Sequence, residues 1–275
     1  MNRNGSNLGL PLISCLMITS ASKFRRRWIK ESLSCFLNQS YSNREMIIVL
    51  DRPTEADRIS LVKLIRNLGV QNIQLVDVKG KKALGELRNI SISKANGEIL
   101  CGWDDDDLYH KDRLRLQFQG MKRKNADVVY LKNNLHFFPR KGLLYLNNWQ
   151  RKSKNMGHPG TLMFKKNKAP CYPTRGPASR KSEDIYVLDW FKQNCKVSYL
   201  DLPPFLYTYV CHGKNTWSEA HHMAVAQSLS EPRDYLVKNM KQIVSWVRSA
   251  NLKRAKIIFS DSSGPFKVLT NKAKL

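Results

Sequence analysis

The first hundred residues alternate between short apolar runs and amphipathic stretches, and few folds accept that alternation. Leu12 to Thr19, Met46 to Leu50, Ile73 to Val78 and Glu98 to Trp103 read as buried strands. Between them, Phe24, Trp28, Ile29, Leu33, Phe36 and Leu37 mark one face of a helix. Ile59, Leu61, Val62 and Ile65 supply a second, and Leu84, Leu87, Ile90, Ile92 and Ala95 a third. Thr54 followed by Asp57 resembles a capping box, Gly69 stops the second helix, and Gly97 closes the third. Continuous apolar strands separated by helices predict a parallel sheet covered on both faces. Ligands in such sheets bind beyond the carboxyl ends of the strands. Thr19, Asp51 and the run Asp104-Asp105-Asp106-Asp107 all fall at such ends.

Four consecutive carboxylates repel one another, and a divalent cation with a charged ligand relieves the repulsion. In a chain of net charge +25, the run reads either as a solvated acidic turn or as a site holding Mg²⁺ or Mn²⁺ against phosphate oxygens. The basic balance itself attracts nucleic acid, anionic lipid or nucleotide-activated substrates alike. No zinc-finger spacing and no confined recognition helix points to specific nucleic acid.

The chain has 275 residues, 42% of them hydrophobic, enough for one large domain with an appendage. No run of 18 apolar residues predicts a membrane span, and Leu10 to Ile18, interrupted by Pro11 and Ser14, fits a core strand better than a signal peptide. Six scattered cysteines fit a reducing cytoplasm.

The second half is less regular. A helix is predicted over Asp112 to Lys124, with strands at Val128 to Leu131, Leu135 to Phe138 and Leu143 to Leu146, and a hairpin turn at Asn133-Asn134. Thr161 to Phe164, Val197 to Leu200 and Phe205 to Val210 read as later strands. Residues 151 to 158 and 165 to 181 read as loops, the latter typical of a lid. Ser182 can cap a helix that begins at Glu183-Asp184. Pro232 opens a final helix whose apolar stripe is Leu236, Val237, Met240, Ile243, Val244 and Val247.

Taken in order, these segments resemble family 2 glycosyltransferases of the GT-A fold, the bacterial enzymes that build capsule and lipopolysaccharide sugars. The segments are PLISCLMIT, FLNQSYSNREMIIVLD, ALGELRNISISKANGEILCGWDDDDLYHKDRL, HPGTLMFKK, SEDIYVLDWF and YTYVCHGKNTW. The resemblance covers roughly residues 11 to 217. It implies a Rossmann-like, mainly parallel sheet with helices on both faces, a small antiparallel acceptor-side part and a C-terminal helical extension. The divisions are a tail at 1–10, a nucleotide-sugar-binding half at 11–131, an acceptor-binding and catalytic half at 132–217, and a basic helical extension at 218–275.

The resemblance also implies roles. Asp106 and Asp104 are the two acids of the Asp-x-Asp motif, Asp106 as the metal contact and Asp104 nearer ribose and phosphate, with Asp105 beside them. Asp184 is the general base, and Glu183 orients the loop or binds acceptor; the residues alone fit a helix cap equally well. Thr19, Ser20 and Asp51 face the nucleoside, Arg88 the phosphate or the acid run, His158 the diphosphate or acceptor, and His212 the metal. His158 fits a loop cap, and His212 a structural histidine, as well. Two departures touch nucleoside recognition. Ile18 to Lys23 stands where the family has Pro-Thr-Tyr-Asn-Arg, and Leu50-Asp51-Arg52-Pro53 where it has Asp-Asp-Gly-Ser.

The resulting expectation is a metal-dependent, inverting hexosyl- or N-acetylhexosaminyltransferase. It uses Mn²⁺ or Mg²⁺ and a nucleotide sugar, UDP-linked by default, and modifies a glycan or lipid-linked acceptor. The expected location is cytoplasmic, peripheral on the inner face of the membrane. The rivals are a nucleotidyltransferase of similar fold and a non-enzymatic nucleic-acid or polyanion binder.

Overall fold

The computed structural model describes residues 9–179, 183–250, 252 and 256–270. The capping role read for Ser182 and most of the N-terminal tail lie outside the described residues.

The first half follows the predicted alternation: β1 (Ile13–Thr19), α1 (Arg26–Leu37), β2 (Arg44–Asp51), α2 (Glu55–Leu68), β3 (Ile73–Val78), α3 (Leu84–Lys94) and β4 (Ile99–Gly102). Next come β5 (Leu108–Tyr109), α4 (Arg113–Arg123), β6 (Val128–Leu131), β7 (Asn133–Phe138), β8 (Leu143–Asn148) and β9 (Met163–Lys165). The chain continues with α5 (Glu183–Asn194), β10 (Val197–Leu200), β11 (Tyr207–Val210), α6 (Glu219–Leu229), α7 (Arg233–Lys238), α8 (Met240–Ser249), β12 (Lys256–Asp261) and β13 (Gly264–Thr270).

A seven-stranded sheet runs β10-β6-β9-β4-β1-β2-β3. Only β9 is antiparallel to its neighbours. Ile13, Cys15 and Met17 of β1 point into the cluster that packs α1, α2 and α4. Leu16 and Ile18 point into the cluster under α3 and α5. Both faces of β1 are therefore buried, which is why its sequence is apolar without alternation.

The local signals hold at α2, where the Thr54 side chain accepts from Asp57 N at 3.1 Å and Gly69 ends the helix at φ +63°. Gly97 works differently from the reading given above. The third helix is closed by Ala95. Gly97 is needed because a Cβ there would lie 2.6 Å from Leu12 O and 2.6 Å from Ser14 Oγ. Its amide donates to Ser14 Oγ at 2.8 Å, at the edge of a network in which Ser14 also donates to Glu45.

A second sheet runs β13-β12-β8-β7-β11-β5. It is mixed, since β11 pairs with β7 and β12 with β8 in parallel. The turn at Asn133-Asn134 does not form a hairpin. β6 belongs to the first sheet and β7 to the second, and β7 makes its hairpin with β8. Where the chain changes sheets Asn134 is buried, its amide bonded to Leu135 O and its carbonyl accepting from Trp149 Nε1.

The final helix is two helices, α7 and α8, broken at Asn239, whose φ of −102° and ψ of 14° leave the helical range. Leu236, Met240, Ile243 and Val247 pack on β7, β8 and β12, whereas Val237 stays exposed. β5, α6 and the β12–β13 hairpin carry no clear periodic signal, and the extension at 218–275, expected to be helical, is helical only through α6 to α8 and then adds two strands to the second sheet. Among the described residues, no helix is long and apolar enough to cross a membrane.

Candidate active site

The acidic run leaves the carboxyl end of β4, and its backbone is clamped before any side chain acts. Trp103 is buried, donates through Nε1 to Ser32 Oγ at 2.9 Å and stacks on Tyr109 at 3.9 Å. Ser32 Oγ donates to Asp104 O at 2.9 Å, and Asp104 N donates to the Tyr109 hydroxyl oxygen at 2.6 Å. Beneath this platform lies Arg113, a fully buried cation. Its guanidinium sits 5.4, 4.6 and 5.5 Å from the rings of Trp103, Tyr109 and Tyr207. It donates to Gly102 O and Gly160 O, tying the start of the run to the 3₁₀ turn at Pro159–Thr161.

The four aspartates meet four different environments. Asp105 is buried and gripped by Arg25, whose Nε donates to Oδ2 at 2.8 Å and whose Nη2 donates to Oδ1. Asp107 is buried, accepting from the Tyr207 hydroxyl and, at 2.9 Å, from Val210 N. It joins the run to β11. Asp106 Oδ2 meets Arg25 Nη2 at 2.8 Å and His212 Nε2 at 3.0 Å. Asp104 faces a cleft of about 560 Å³ that Asp105, Asp106, Arg25, Arg88, Glu183 and Asp184 also line.

Burial raises the carboxyls of Asp104, Asp105 and Asp107. For Asp104, burial and then the nearby Asp106, Asp184 and Asp105 outweigh Arg88 and push it up to about 7. Asp105 stays raised by burial although Arg25 pulls against it. Asp107 is raised well above the usual range by burial and by Asp106 and Asp104.

Across the cleft, α5 begins at Glu183 and Asp184. Arg88, on α3, donates through Nε to Glu183 Oε1 at 3.2 Å and lies 3.6 Å from Asp184 Oδ1. Glu183 is buried, and burial followed by its neighbour Asp184 raises its carboxyl. Asp184 is the more open of the two, its side chain 39% exposed.

Of the residues singled out in sequence, Arg88, Asp104, Asp105, Asp106, His158, Glu183 and Asp184 come together around this cleft. His212 joins through Asp106. Thr19, Ser20 and Asp51 do not line it. Thr19 is buried, its hydroxyl oxygen accepting from Ala21 N at 3.0 Å and bonding Asp105. It stabilises the turn after β1, where Ala21 adopts φ +54°. Asp51 pairs with its neighbour Arg52 at 3.1 Å. His158 is a cap, since its Nδ1 accepts from Gly160 N at 3.0 Å, and it lines the cleft as well.

Two site residues escaped sequence reading, Arg25 and Arg113. Arg25 lies two residues beyond Lys23, where the comparison with the family's Pro-Thr-Tyr-Asn-Arg stopped. Arg113 carries no signal that separates it from the many surface cations.

Among the described residues, no three His, Cys, Asp or Glu side chains converge as a ready-made metal cage. Asp106 and His212 do bring a carboxylate oxygen and an imidazole nitrogen to one point. This pair suits Mn²⁺ or Mg²⁺ when substrate oxygens complete the shell.

The sequence profile of glycosyl transferase family 2 matches residues 18–182, more than half of the chain, taking in Arg25, Arg88, the acidic run and His158 and ending just before Glu183 and Asp184. The chain belongs to glycosyl transferase family 2. The amylovoran biosynthesis glycosyltransferase AmsB of Erwinia amylovora is 34% identical over 112 residues, which are 38% of this chain and 36% of that protein. The matched stretch spans less than half the length of the curated relatives it resembles. Among solved structures, S. aureus TarS 1–349 shares the fold with a TM-score of 0.55 at 15% identity, over 86% of this chain and 79% of that one. Mannosyltransferase PcManGT from Pyrobaculum calidifontis, solved with GDP-Man and Mn²⁺, gives 0.55 at 14% identity over 88% and 70%. The two-sheet architecture is the GT-A fold of the family.

Proposed function

We propose that this protein is an inverting glycosyltransferase that moves one sugar from a nucleotide sugar to a hydroxyl of a glycan or lipid-linked acceptor. We place its work in bacterial surface polysaccharide synthesis. One observation carries the reading. Asp184 lies at the open start of α5 beside Arg88, facing the Asp104–Asp106 run across a cleft of about 560 Å³.

In this reading Asp184 takes the proton of the acceptor hydroxyl. The freed oxygen attacks the anomeric carbon of the donor sugar. The bond from that carbon to the diphosphate oxygen breaks, and its electron pair leaves with the diphosphate. Arg88 lies 3.6 Å from one Asp184 oxygen and supports its ionised form. Arg88 and Arg25, the cations lining the cleft, offer guanidinium N–H groups to the departing phosphates. Asp106 and His212 would hold a Mn²⁺ or Mg²⁺, which when bound neutralises the charge that develops on the diphosphate. A single base, with no second nucleophile placed opposite it among the described residues, fits direct displacement with inversion.

TarS has been solved with UDP and UDP-GlcNAc and PcManGT with GDP-Man, which supports a nucleoside diphosphate donor. UDP is our default, and a hexose or N-acetylhexosamine our expected sugar. The +25 charge supports peripheral docking on an anionic inner leaflet, from the cytoplasmic side. Flotation with anionic liposomes tests the docking, and absence of binding by the full chain defeats it. NMR of the product's anomeric bond tests the stereochemistry, and retention overturns direct displacement.

A further inference from the structure

A second cavity, of about 840 Å³, is larger than the cleft and shares no lining residue with it. It lies between α1 and the second sheet, where Phe24 and Trp28 face Leu108 and Phe137. His212 also lines it, and Trp28 stacks on that ring at 4.8 Å. The same imidazole bonds Asp106 of the cleft at 3.0 Å, so it stands between the two spaces.

The lining is basic with little counter-charge. Arg27, Lys111, Arg140 and Lys214 line the cavity against one carboxylate, Glu31, which already meets Arg27 at 3.6 Å. Lys111, Arg140 and Lys214 form no ion pair among the described residues. Arg140 and Lys214 are neighbours in space. A Cβ on Gly213 would lie 2.7 Å from Arg140 Nη1, and Gly213 directly precedes Lys214. Lys214 Nζ in turn lies 4.3 Å from the centre of the Phe24 ring. Phe24 is 74% exposed, more than any other large apolar side chain among the described residues. A bare aromatic ring beside unpaired cations is the pairing that suits a membrane interface, where the ring enters the apolar layer and the cations meet phosphate.

We propose that this cavity is the seat of an anionic phospholipid headgroup, whose phosphate meets Arg140, Lys214 and Arg27 while Phe24 enters the apolar layer beside it. A small soluble anion would use the cations and leave Phe24 in water. The basic surface also continues past the cavity, with Lys23 and Lys30 exposed along the start of α1. A flat anionic surface meets these lysines and the cavity together, whereas a soluble ligand meets the cavity alone. The phosphate is drawn to the side of His212 that faces away from the acidic run, so docking leaves the cleft free for its own ligands.

The proposal deepens the docking part of the proposed function and rests on that part alone, not on the transferase chemistry. The full chain is floated with phosphatidylcholine vesicles, plain or containing roughly one third phosphatidylglycerol. Arg140→Gln with Lys214→Gln should weaken binding to the anionic vesicles roughly 30-fold. Phe24→Ser, which leaves the charge alone, should weaken it roughly tenfold. All three side chains are exposed, so the fold should hold. Arg123→Gln with Lys124→Gln removes the same charge from exposed positions at the end of α4 that do not line the cavity. That control should stay within about threefold of wild type. Equal losses in the cavity and control variants, or no loss in either cavity variant, overturn the headgroup seat and leave general docking standing. Calorimetry with glycerol phosphate and with UDP separates a soluble ligand. Binding of either that is lost in Arg140→Gln with Lys214→Gln assigns the cavity to a soluble phosphate and overturns the lipid. A wild type that binds no anionic vesicle removes the docking reading and the seat with it. UDP binding by the wild type with Mn²⁺ reports on the transferase site separately.

Discussion

Arg25 grips both carboxylate oxygens of Asp105, and the same guanidinium reaches Asp106 Oδ2 at 2.8 Å. Half of the acidic run is thus neutralised from within by the residue that precedes α1. A buried acid that loses the cation gripping it is left uncompensated. Arg25→Gln is expected to lower stability by about 3 kcal/mol. Arg25→Gln combined with Asp105→Asn should recover most of that loss, because the orphaned charge is gone. Urea unfolding of the single and double variants, with and without Mn²⁺, measures this. Metal should shrink the penalty of the single variant.

Asp184→Asn keeps size and removes the carboxylate proposed as the base. Its side chain is 39% exposed, so the fold should hold and nucleotide affinity should change little. Turnover should fall by roughly 10²–10⁴-fold. An activity loss that appears only in KM, with kcat intact, would assign Asp184 to binding instead.

Gly160 has no room for a side chain. A Cβ there would lie 2.4 Å from the Tyr207 hydroxyl and 3.3 Å from Asp104 Oδ2. Gly160→Ala should push Tyr207 away from Asp107, costing about 1–3 kcal/mol together with most of the turnover. Thermal unfolding and a donor-hydrolysis assay read the two effects separately.

The buried histidines give stability a defined pH dependence. His136 sits at about 3 in the folded protein against 6.5 in an unfolded chain. Below pH 6.5 the unfolded state binds the proton and the folded state does not, so this residue lowers stability as pH falls from 6.5 toward 3. The raised carboxyls of Asp104, Asp105 and Asp107 act in the opposite sense, so the clean observable is a difference. The stability of His136→Phe relative to wild type should rise steadily between pH 6.5 and 4.5. A flat difference would mean that His136 titrates normally.

Much of the first half was legible because its signals are local. β1, β2 and β4 are buried on both faces, β3 forms the edge, and Thr54, Asp57 and Gly69 mark helix ends by their own chemistry. The acidic run was legible as a site from its place after a strand. How its members divide the work was not, because that depends on Arg25, Tyr207 and His212, which lie 80 or more residues away in sequence from the acids they touch. The sheet change at Asn134 hides for a similar reason. Asn133-Asn134 reads as a turn, whereas in the fold Asn134 is buried, bonded to Trp149 Nε1, and starts the long pairing of β7 with β8. Asp51 and Thr19 sit at strand ends as expected, yet the structure engages them with Arg52 and with the turn after β1.

In the proposed function a nucleotide sugar binds at the acidic run through Asp106. A thermal-shift titration of UDP-, GDP- and CMP-sugars, with and without Mn²⁺, on wild type and Asp106→Ala tests it most directly. A shift with one nucleotide class that requires the metal and disappears in Asp106→Ala is the expected result. A shift that persists without metal in Asp106→Ala, or no shift with any donor in folded protein, would contradict it.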